Sequence, residues 1–462
     1  MDILIKHATV ITMDERRRIL DDGAVAIADG RIVAVEKTAA VAGDRAGIEI
    51  DARNMIVMPG LVNAHVHLSY SLAKGCGDDL PFTQWIQVVF KTEDTYSEEE
   101  WYLASMLSII EMIKSGTTCF GDTNMYDEID QVVRAVEETG IRGVLGKNIT
   151  NITAEELKKN PWLERPFDPE DLSVAAAVRD YERLNGKANG RITIRFTPEI
   201  WPACSSDGYR EVASVSKEKG IGRLIHHTEA REWGEFVQQE YGKPPTMMLD
   251  DFGILGPETL LENASLLSEE EISLIADTGT CFNYLPTPNM KNYLGVLDVT
   301  RLLAKGVPVS LGTSGALINN VNDLFREMRT LALQQRVVKQ RPDAIAAETV
   351  LEMATVLGAR CLGLDSETGS LEAGKRADVI VVNAYQPHMV PVFNPVSNIV
   401  HCASGGDVDT VIVDGRVIMM GRRMLTVNEG AVLARVVEDG ARTIRRTGVP
   451  DQPHARSRWG RV

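Results

Sequence analysis

Short apolar strands alternate with helical stretches through most of this chain, and that alternation limits the possible folds more than any other feature of the sequence. The strand segments read TTCFGD, ITIRFTPEI, GRLIHHTE, TLLENASLL, TGTCFNYLP and VPVSLGTSG. Repeated strand–helix units build a parallel sheet. An open doubly wound sheet is the competing architecture, but no G-x-G-x-x-G follows a strand. We therefore predict an α/β fold whose central segment is a (β/α)8 TIM barrel, with its active site at the carboxyl ends of the strands.

Both ends of the chain carry the signal of a β-hairpin. Asp29-Gly30 lies within AVAIADGRIVAVE, and Asp414-Gly415 lies within TVIVDGRVIMMGRR. Both dipeptides suit a two-residue turn, because Asp and Gly tolerate the positive φ that such turns need. The likeness of D-G-R-I-V-A-V to D-G-R-V-I-M-M favours one composite β-sandwich over two unrelated hairpins. The predicted domains are the sandwich at 1–56 and 370–430, the barrel at 57–369, and a C-terminal helix with an arginine-rich tail at 431–462.

Charge and composition exclude several classes of partner. The 462 residues include 49 Lys and Arg against 65 Asp and Glu, a formal net charge of −16. Because this charge repels phosphates and anionic lipids, we expect no nucleic-acid partner and no membrane partner. No basic leader precedes an apolar stretch, and no apolar run is long enough to span a bilayer. The six cysteines are scattered without a C-x-x-C pair, which favours a reduced, cytoplasmic setting.

Four of the eight histidines lie in two strand-end segments. His65 and His67 belong to MPGLVNAHVHL, and His226 and His227 belong to RLIHHTEARE. Alternate residues of a strand point the same way, so H-x-H places two imidazoles on one side of the chain, as a metal site requires. A surface strand also explains many H-x-H pairs, so the spacing alone leaves both interpretations open.

The wider context of these histidines resembles a known family. M-P-G-L-V-N-A-H-V-H is similar to the metal signature of the amidohydrolase superfamily. The segments G-D-D-L-P-F-T-Q-W-I, S-G-T-T-C-F-G-D, G-T-S-G-A-L-I-N-N and T-G-S-L-E-A-G-K-R-A-D-V-I-V-V extend the resemblance over most of the chain. The branch it most resembles contains adenosine-type and guanine deaminases and triazine hydrolases. The resemblance implies a metal-bearing barrel with a β-sandwich, a small-molecule substrate and a homo-oligomer.

The resemblance also implies one divalent metal ion per chain. In the family, the first-strand H-x-H, a histidine after the fifth strand and an aspartate after the eighth hold this ion. His65 and His67 match the first pair, and His226 begins the H-x-x-E pattern of the third ligand. His227 is the alternative third ligand or a neighbour of the ligands. Zinc, cobalt, iron and manganese all suit such a histidine-rich site.

Three further positions carry expectations about catalysis. Glu229 stands where the deaminases keep a glutamate that moves a proton from metal-bound water to the leaving group; the alternative is a solvated loop residue. Where the branch has a segment resembling L-A-H-C, this chain reads L-E-N-A, so Asn263 replaces a histidine. Ser314, in G-T-S-G, replaces the aspartate of G-T-D-G. We expect Asn263 and Ser314 to orient substrate or water.

Aromatic residues near the predicted rim are candidates for substrate binding. Phe82 and Trp85 follow the first strand, and Trp201 follows IRFTPEI. Small-molecule sites are mostly apolar with few polar groups, so these three side chains are expected in the pocket. Packing between the barrel and its loops is the equally weighted alternative.

The leading functional interpretation is a metal-dependent hydrolase whose bound hydroxide attacks an electrophilic carbon. The two replaced positions argue against purine deamination, and resemblance favours a carbamoyl C–N or C–S bond of a phenylurea or of a thiocarbamate such as molinate, hence xenobiotic degradation. An aminohydrolase or dechlorinase of a purine, pterin or s-triazine ring is the alternative. A non-catalytic scaffold is the third interpretation, and retention of His65, His67, His226 and Glu229 favours an enzyme over it.

Overall fold

The strands of the protein form two sheets, one from the two chain ends and one from the central segment. The structure is a computed structural model that describes residues 1–123, 128–152, 170–228 and 230–449. Within that part of the chain, no helix is both long and apolar enough to cross a membrane.

The first sheet has nine strands and joins the two ends of the chain. β5 pairs antiparallel with β14, so the N-terminal and C-terminal segments share one sheet. The other pairs are antiparallel except where β1 runs parallel to β4 and β5. The strands are β1 Ile3–Ile11, β2 Ile19–Ala28, β3 Arg31–Lys37, β4 Ile48–Asp51, β5 Met55–Pro59, β14 Val379–Asn383, β15 Val408–Val413, β16 Arg416–Met420 and β17 Arg423–Met424.

The two hairpin turns predicted from the sequence lie against each other. Asp29 and Gly30 have φ of 50° and 75°, and Asp414 and Gly415 have φ of 51° and 72°. Positive φ at both central residues is the type I′ geometry that follows the twist of paired strands. A Cβ on Gly415 would lie 2.5 Å from the Cα of Gly30, so the contact between the turns requires glycine.

The second sheet is the barrel, with eight parallel strands in sequence order. The strands are β6 Leu61–Val66, β7 Thr117–Asp122, β8 Arg142–Ile149, β9 Ile192–Pro198, β10 Arg223–Thr228, β11 Thr259–Ala264, β12 Cys281–Tyr284 and β13 Val309–Leu311. A parallel bridge from Val66 to Ser314 brings the first strand to the segment after the last. The predicted α/β class, a TIM barrel with a flanking sheet from both chain ends, is confirmed.

Helices cover the barrel and begin where the sequence supplies caps. Ser97 and Ser268 each form a capping box with a glutamate three residues later, which satisfies backbone donors at the helix start. The helices are α1 Phe82–Glu93, α2 Glu98–Lys114, α3 Ile129–Thr139, α4 Val174–Leu184, α5 Ser206–Lys219, α6 Arg231–Tyr241, α7 Pro245–Asp251, α8 Glu269–Thr278, α9 Pro286–Lys291, α10 Val299–Ala304, α11 Leu324–Lys339, α12 Ala347–Met353, α13 Val356–Cys361, α14 Pro395–His401 and α15 Glu429–Thr447. The tail predicted beyond α15 lies, from residue 450 onward, outside the described residues.

A buried ion pair fixes the barrel to the nine-stranded sheet. Arg142, on β8, donates to both carboxylate oxygens of Asp378 at 2.8 and 3.0 Å. The same carboxylate accepts the backbone N–H of Asp414 at 2.8 Å, in the second hairpin turn. Both side chains of the pair are almost fully buried. The two parallel hydrogen bonds of this bidentate pair offset the burial of both charges. Removal of either side chain would leave the other charge buried without its partner, in a medium of low dielectric.

Candidate metal centre and its pocket

Three histidines meet at the carboxyl ends of the barrel strands. His65, His67 and His226 each offer a ligand atom, and these atoms lie within 4.8 Å of one another. The Nε2 atoms of His67 and His226 are 3.3 Å apart, and the His65 ring stands perpendicular to both other rings. Three neutral imidazoles with an open fourth position are a donor set that a catalytic divalent ion accepts. The residues present therefore fit the metal that the sequence predicts.

The backbone after β13 holds the H-x-H strand in place. The N–H of Ser314 donates to the His65 carbonyl at 3.0 Å, and the N–H of His67 donates to the Ser314 carbonyl at 2.5 Å. A Cβ on Gly312 would lie 2.7 Å from the His65 carbonyl oxygen. Glycine at that position therefore permits the close approach that closes the barrel at the metal centre.

A buried carboxylate lies behind His65. Glu262, on β11, places Oε1 3.1 Å from His65 Nδ1, and neither side chain is exposed. Thr123 donates its hydroxyl hydrogen to the same Oε1 at 2.6 Å, and its oxygen is 3.2 Å from His65 Nδ1. When one ring nitrogen of a histidine binds a metal, a carboxylate that accepts the N–H of the other nitrogen orients the ring.

His227 faces away from the other histidines. Its Nε2 is 2.8 Å from the hydroxyl of Thr246 on α7, which in turn donates to Glu271 at 2.8 Å. Burial lowers the pKa of His227 to about 4, so the ring is neutral at physiological pH. His227 is absent from the group of converging ligand atoms, and the geometry favours His226 as the third ligand. Glu229, the predicted proton carrier, lies outside the described residues.

Asn263 and Ser314 both reach the pocket above the histidines. Asn263 exchanges two hydrogen bonds with the buried amide of Asn289, at 2.8 and 3.0 Å. The backbones of Asn263 and Ser314 are left-handed, with φ of 60° and 59°. Left-handed conformations cost free energy for residues other than glycine and cluster at functional sites. The two positions predicted to orient substrate or water thus both line this pocket.

Aromatic and aliphatic side chains form most of the pocket wall. Tyr70 stacks on the His67 ring at a centroid distance of 4.6 Å, and Trp85 meets Tyr70 edge-on at 5.9 Å. Phe82 packs against Trp85 at 5.8 Å. None of the described lining residues is Asp, Glu, Lys or Arg. The lining residues are His67, Tyr70, Phe82, Trp85, Ile86, Phe90, Ile200, His226, His227, Ala230, Trp233, Asn263, Leu285, Pro288, Leu294, Ser314 and Ile318.

The three aromatic residues predicted at the rim differ in their surroundings, since Phe82 and Trp85 line the pocket and Trp201 packs elsewhere. Trp201 does not line the pocket; its ring packs near Phe236 and Tyr241 at centroid distances of 6.0 Å, and its indole N–H donates to Ser206 at 3.3 Å. The loop after β9 turns this ring toward α6. Trp233, on α6, lines the pocket instead.

Sequence reasoning missed several residues around the centre. Tyr70, Trp233 and Asn289 lie in helices or turns whose path to the pocket no local pattern reveals. Glu262 had a readable signal, since it is the one charged residue in the strand segment TLLENASLL. A charged residue inside TLLENASLL requires a partner once the strand is buried.

Relatives of known name match the chain over nearly its whole length. Residues 56–418 match the family model described as "Amidohydrolase family". A 5-methylthioadenosine/S-adenosylhomocysteine deaminase of Desulforudis audaxviator is 38% identical, and the match covers 96% of this chain and 99% of the relative. A 5'-deoxyadenosine deaminase of Methanosarcina mazei is 36% identical, with 94% of this chain and 96% of the relative covered.

Solved structures also match the fold. An adenosine deaminase of Xanthomonas campestris with bound zinc is 26% identical, with a TM-score of 0.89 over 96% of this chain and 99% of the other. An atrazine chlorohydrolase of Arthrobacter aurescens has a TM-score of 0.86 over 96% of this chain and 100% of the other. That enzyme is 23% identical to this chain, so the similarity concerns the fold alone.

Proposed function

The chain belongs to the amidohydrolase family, whose members hydrolyse small molecules with bound metal, and on that premise we propose that it removes the exocyclic amine of an adenosine-type purine. One observation carries this proposal: the converging histidines lie under an apolar pocket in a chain 35–38% identical to deaminases of 5'-deoxyadenosine and 5-methylthioadenosine/S-adenosylhomocysteine. The comparisons give more support to this reaction than to the carbamoyl hydrolysis predicted from the sequence.

The three imidazoles would hold the ion through nitrogen lone pairs. A divalent ion bound there supplies Lewis-acid activation of water, which is the chemistry that hydrolysis of an aromatic C–N bond needs. Tyr70 stacks on His67 and keeps that ring in position. In this proposal Glu229 takes the proton of the attacking water and returns it to the departing amine, which leaves as ammonia. That role rests on the place of Glu229 three residues after His226.

The pocket wall would bind a planar base. Trp85 and Phe82 offer flat apolar surface, and their burial of the base would exclude bulk water from the reacting carbon. The reciprocal bonds with Asn289 use one N–H and one oxygen lone pair of Asn263. This amide also has a second N–H and a second lone pair, and we assign them to a ring nitrogen or to the amine of the substrate.

The lining favours an uncharged substrate over a charged one. S-adenosylhomocysteine carries an ammonium and a carboxylate in its amino-acid tail, whereas 5'-deoxyadenosine and methylthioadenosine carry neither. The described wall contains no Asp, Glu, Lys or Arg that would pair with such a tail. We therefore propose that nucleosides with a small apolar 5' substituent are better substrates than S-adenosylhomocysteine.

A second candidate function is supported by the neutral residues at two site positions. Asn263 and Ser314 carry no charge, so the described rim lacks the carboxylate and the imidazole that the deaminase branch places there. Reactions whose leaving group departs without a proton, such as chloride from a triazine or thiolate from a thiocarbamate, place less demand on acid catalysis. Hydrolysis of these compounds is thus the alternative reaction of the same centre.

A substrate panel tests the proposal. The zinc-loaded protein is incubated with 5'-deoxyadenosine, methylthioadenosine, S-adenosylhomocysteine, a chlorotriazine, a phenylurea and a thiocarbamate, and ammonia, chloride, aniline and thiol release are measured. The proposal predicts ammonia from the first two compounds at the highest kcat/KM. Release of chloride or thiol without ammonia from any nucleoside would instead support the second candidate, and release of aniline would support the carbamoyl C–N hydrolysis predicted from the sequence.

A further inference from the structure

We propose that Glu262 supplies the negative charge of the metal centre through His65, in place of a carboxylate bound directly to the ion. Glu262 then acts as a positioning residue. It fixes the tautomer of His65 and lowers the free-energy cost of holding a doubly charged ion in a buried site. The inference concerns metal binding and holds whichever substrate the pocket accepts.

The register of the barrel strands places Glu262 on the side of the metal centre. His226 on β10 is paired with Glu262 on β11 in the parallel register. Paired positions of neighbouring strands project to the same face of a sheet. Glu262 therefore points into the barrel beside His226, where its Oε1 meets His65 from the opposite wall at 3.1 Å.

The hydrogen-bond roles around Glu262 determine the tautomer of His65. An ionised carboxylate only accepts, and Thr123 has one hydroxyl hydrogen, which it donates to Glu262 Oε1. The Thr123 oxygen can then only accept from His65 Nδ1, at 3.2 Å. Both neighbours of Nδ1 are thus acceptors, so Nδ1 carries the hydrogen. In the neutral ring Nε2 is then unprotonated, and its lone pair can bind a metal ion.

The charge of the centre points to the same role. The converging ligand group found among the described residues consists of three imidazoles and no carboxylate. A dication held by neutral ligands in a buried site keeps its full charge in a medium of low dielectric. Glu262 is fully buried and contacts one of those ligands directly, so its negative charge is the one best placed to offset the ion.

Two departures from the family pattern compensate each other. Ser314 stands where the resemblance implies an aspartate. Because serine is neutral, the centre has one anion fewer at this position. Glu262 stands at the second position of L-E-N-A, where the branch pattern L-A-H-C has an apolar alanine, which adds one. In this proposal the anion of the centre lies on β11, beside His65, rather than among the ligands in the segment after β13.

Metal affinity tests this inference without any substrate. The metal-free protein and its Glu262→Gln variant are titrated with zinc against a chromophoric chelator. Loss of a carboxylate that supports a ligand histidine typically lowers metal affinity roughly 10- to 100-fold, and we expect a loss of that size. Glu327→Gln is the matched control, because Glu327 is equally buried but accepts from Asn319 and Thr287 and hydrogen-bonds to no histidine among the described residues. Its zinc affinity should equal that of wild type.

A second substitution tests whether the lost property is charge. Ser314→Asp, placed in the Glu262→Gln background, should recover most of the zinc affinity, since aspartate tolerates the left-handed backbone at that position. If Glu262→Gln does not fold, Thr123→Val serves instead: it removes the hydroxyl that orders Glu262, and we expect a smaller loss of affinity. Wild-type zinc affinity in a folded Glu262→Gln or Thr123→Val variant, or an equal loss in Glu327→Gln, would overturn the inference.

Discussion

The Nε2 atoms of His67 and His226 lie 3.3 Å apart with their ring planes 4° from parallel, although 159 residues separate them in sequence. Two imidazole lone pairs at this distance repel unless one nitrogen carries a proton or both bind a cation. Tyr70 stacks on the His67 ring, a contact that favours this orientation of the imidazole. The two nitrogens are thus arranged so that both can bind one cation.

The two adjacent histidines of β10 should differ sharply in their effect on metal binding. His226→Ala should lose bound zinc because it removes a converging nitrogen. His227→Ala should keep most of the zinc, since that ring bonds Thr246 instead. Elemental analysis after reconstitution measures both. Loss of zinc in His227→Ala with retention in His226→Ala would reverse the assignment of the third ligand.

Glu229→Gln should separate metal binding from proton transfer. We expect unchanged zinc content and a loss of kcat/KM of roughly 10²- to 10⁴-fold on a nucleoside that releases ammonia. A 6-chloropurine nucleoside should show a smaller loss, because chloride departs without a proton. Near wild-type rates on both compounds would mean that Glu229 has no part in proton transfer.

The aromatic residues near the pocket yield a matched pair of variants. Phe82 and Trp201 are both half-buried aromatics, but only Phe82 lines the pocket. Phe82→Ala should raise KM by roughly 10- to 100-fold, the equivalent of about 1.5–3 kcal/mol of lost apolar contact, with a smaller change in kcat. Trp201→Ala should leave KM unchanged. Equal effects on KM would show that the pocket wall extends to Trp201.

The histidine spacing, the hairpin turns and the barrel could all be predicted because each depends on local pattern. Asp-Gly specifies a turn by its own backbone preferences, and H-x-H puts two rings on one side of any strand. The choice between His226 and His227 could not be made in this way. It depends on which residues of β10 face the barrel axis, and the pleat of a strand fixes that only after the sheet has formed.

Local sequence patterns do not predict contacts between distant elements, for a similar reason. Glu262 meets His65 across the barrel, and Asn289 meets Asn263 from α9; neither pair shares a local motif. The path of the loop after β9 likewise decides that Trp201 packs on α6. Such contacts follow from the closure of the barrel rather than from any one segment.

Glu327 should make stability fall as pH rises toward neutrality. Burial raises the pKa of this carboxyl from 4.5 to about 7, so between these values the folded protein holds a proton that the unfolded chain releases. The stabilisation that Glu327 contributes is complete below its pKa in the unfolded chain. It is lost as pH rises through its pKa in the folded protein. The resulting decrease in the free energy of unfolding is of the order of 3 kcal/mol, since one pKa unit corresponds to about 1.36 kcal/mol.

Denaturant unfolding of wild type and Glu327→Gln at about pH 5 and about pH 8 measures this effect. The variant should show a weaker decline of unfolding free energy between the two pH values, even though its amide costs one hydrogen bond at the Thr287 N–H. An identical pH dependence in the two proteins would assign the decline to other groups.

Metal dependence of ammonia release from 5'-deoxyadenosine tests whether the three histidines hold the catalytic ion of a deaminase. The protein is stripped of metal with a chelator, assayed, reconstituted with one equivalent of zinc and assayed again. We expect no ammonia from the stripped protein, and ammonia with stoichiometric formation of the 6-oxo purine nucleoside after reconstitution. A zinc-loaded protein that releases no ammonia from 5'-deoxyadenosine or methylthioadenosine, or a stripped protein that releases it undiminished, would contradict the account.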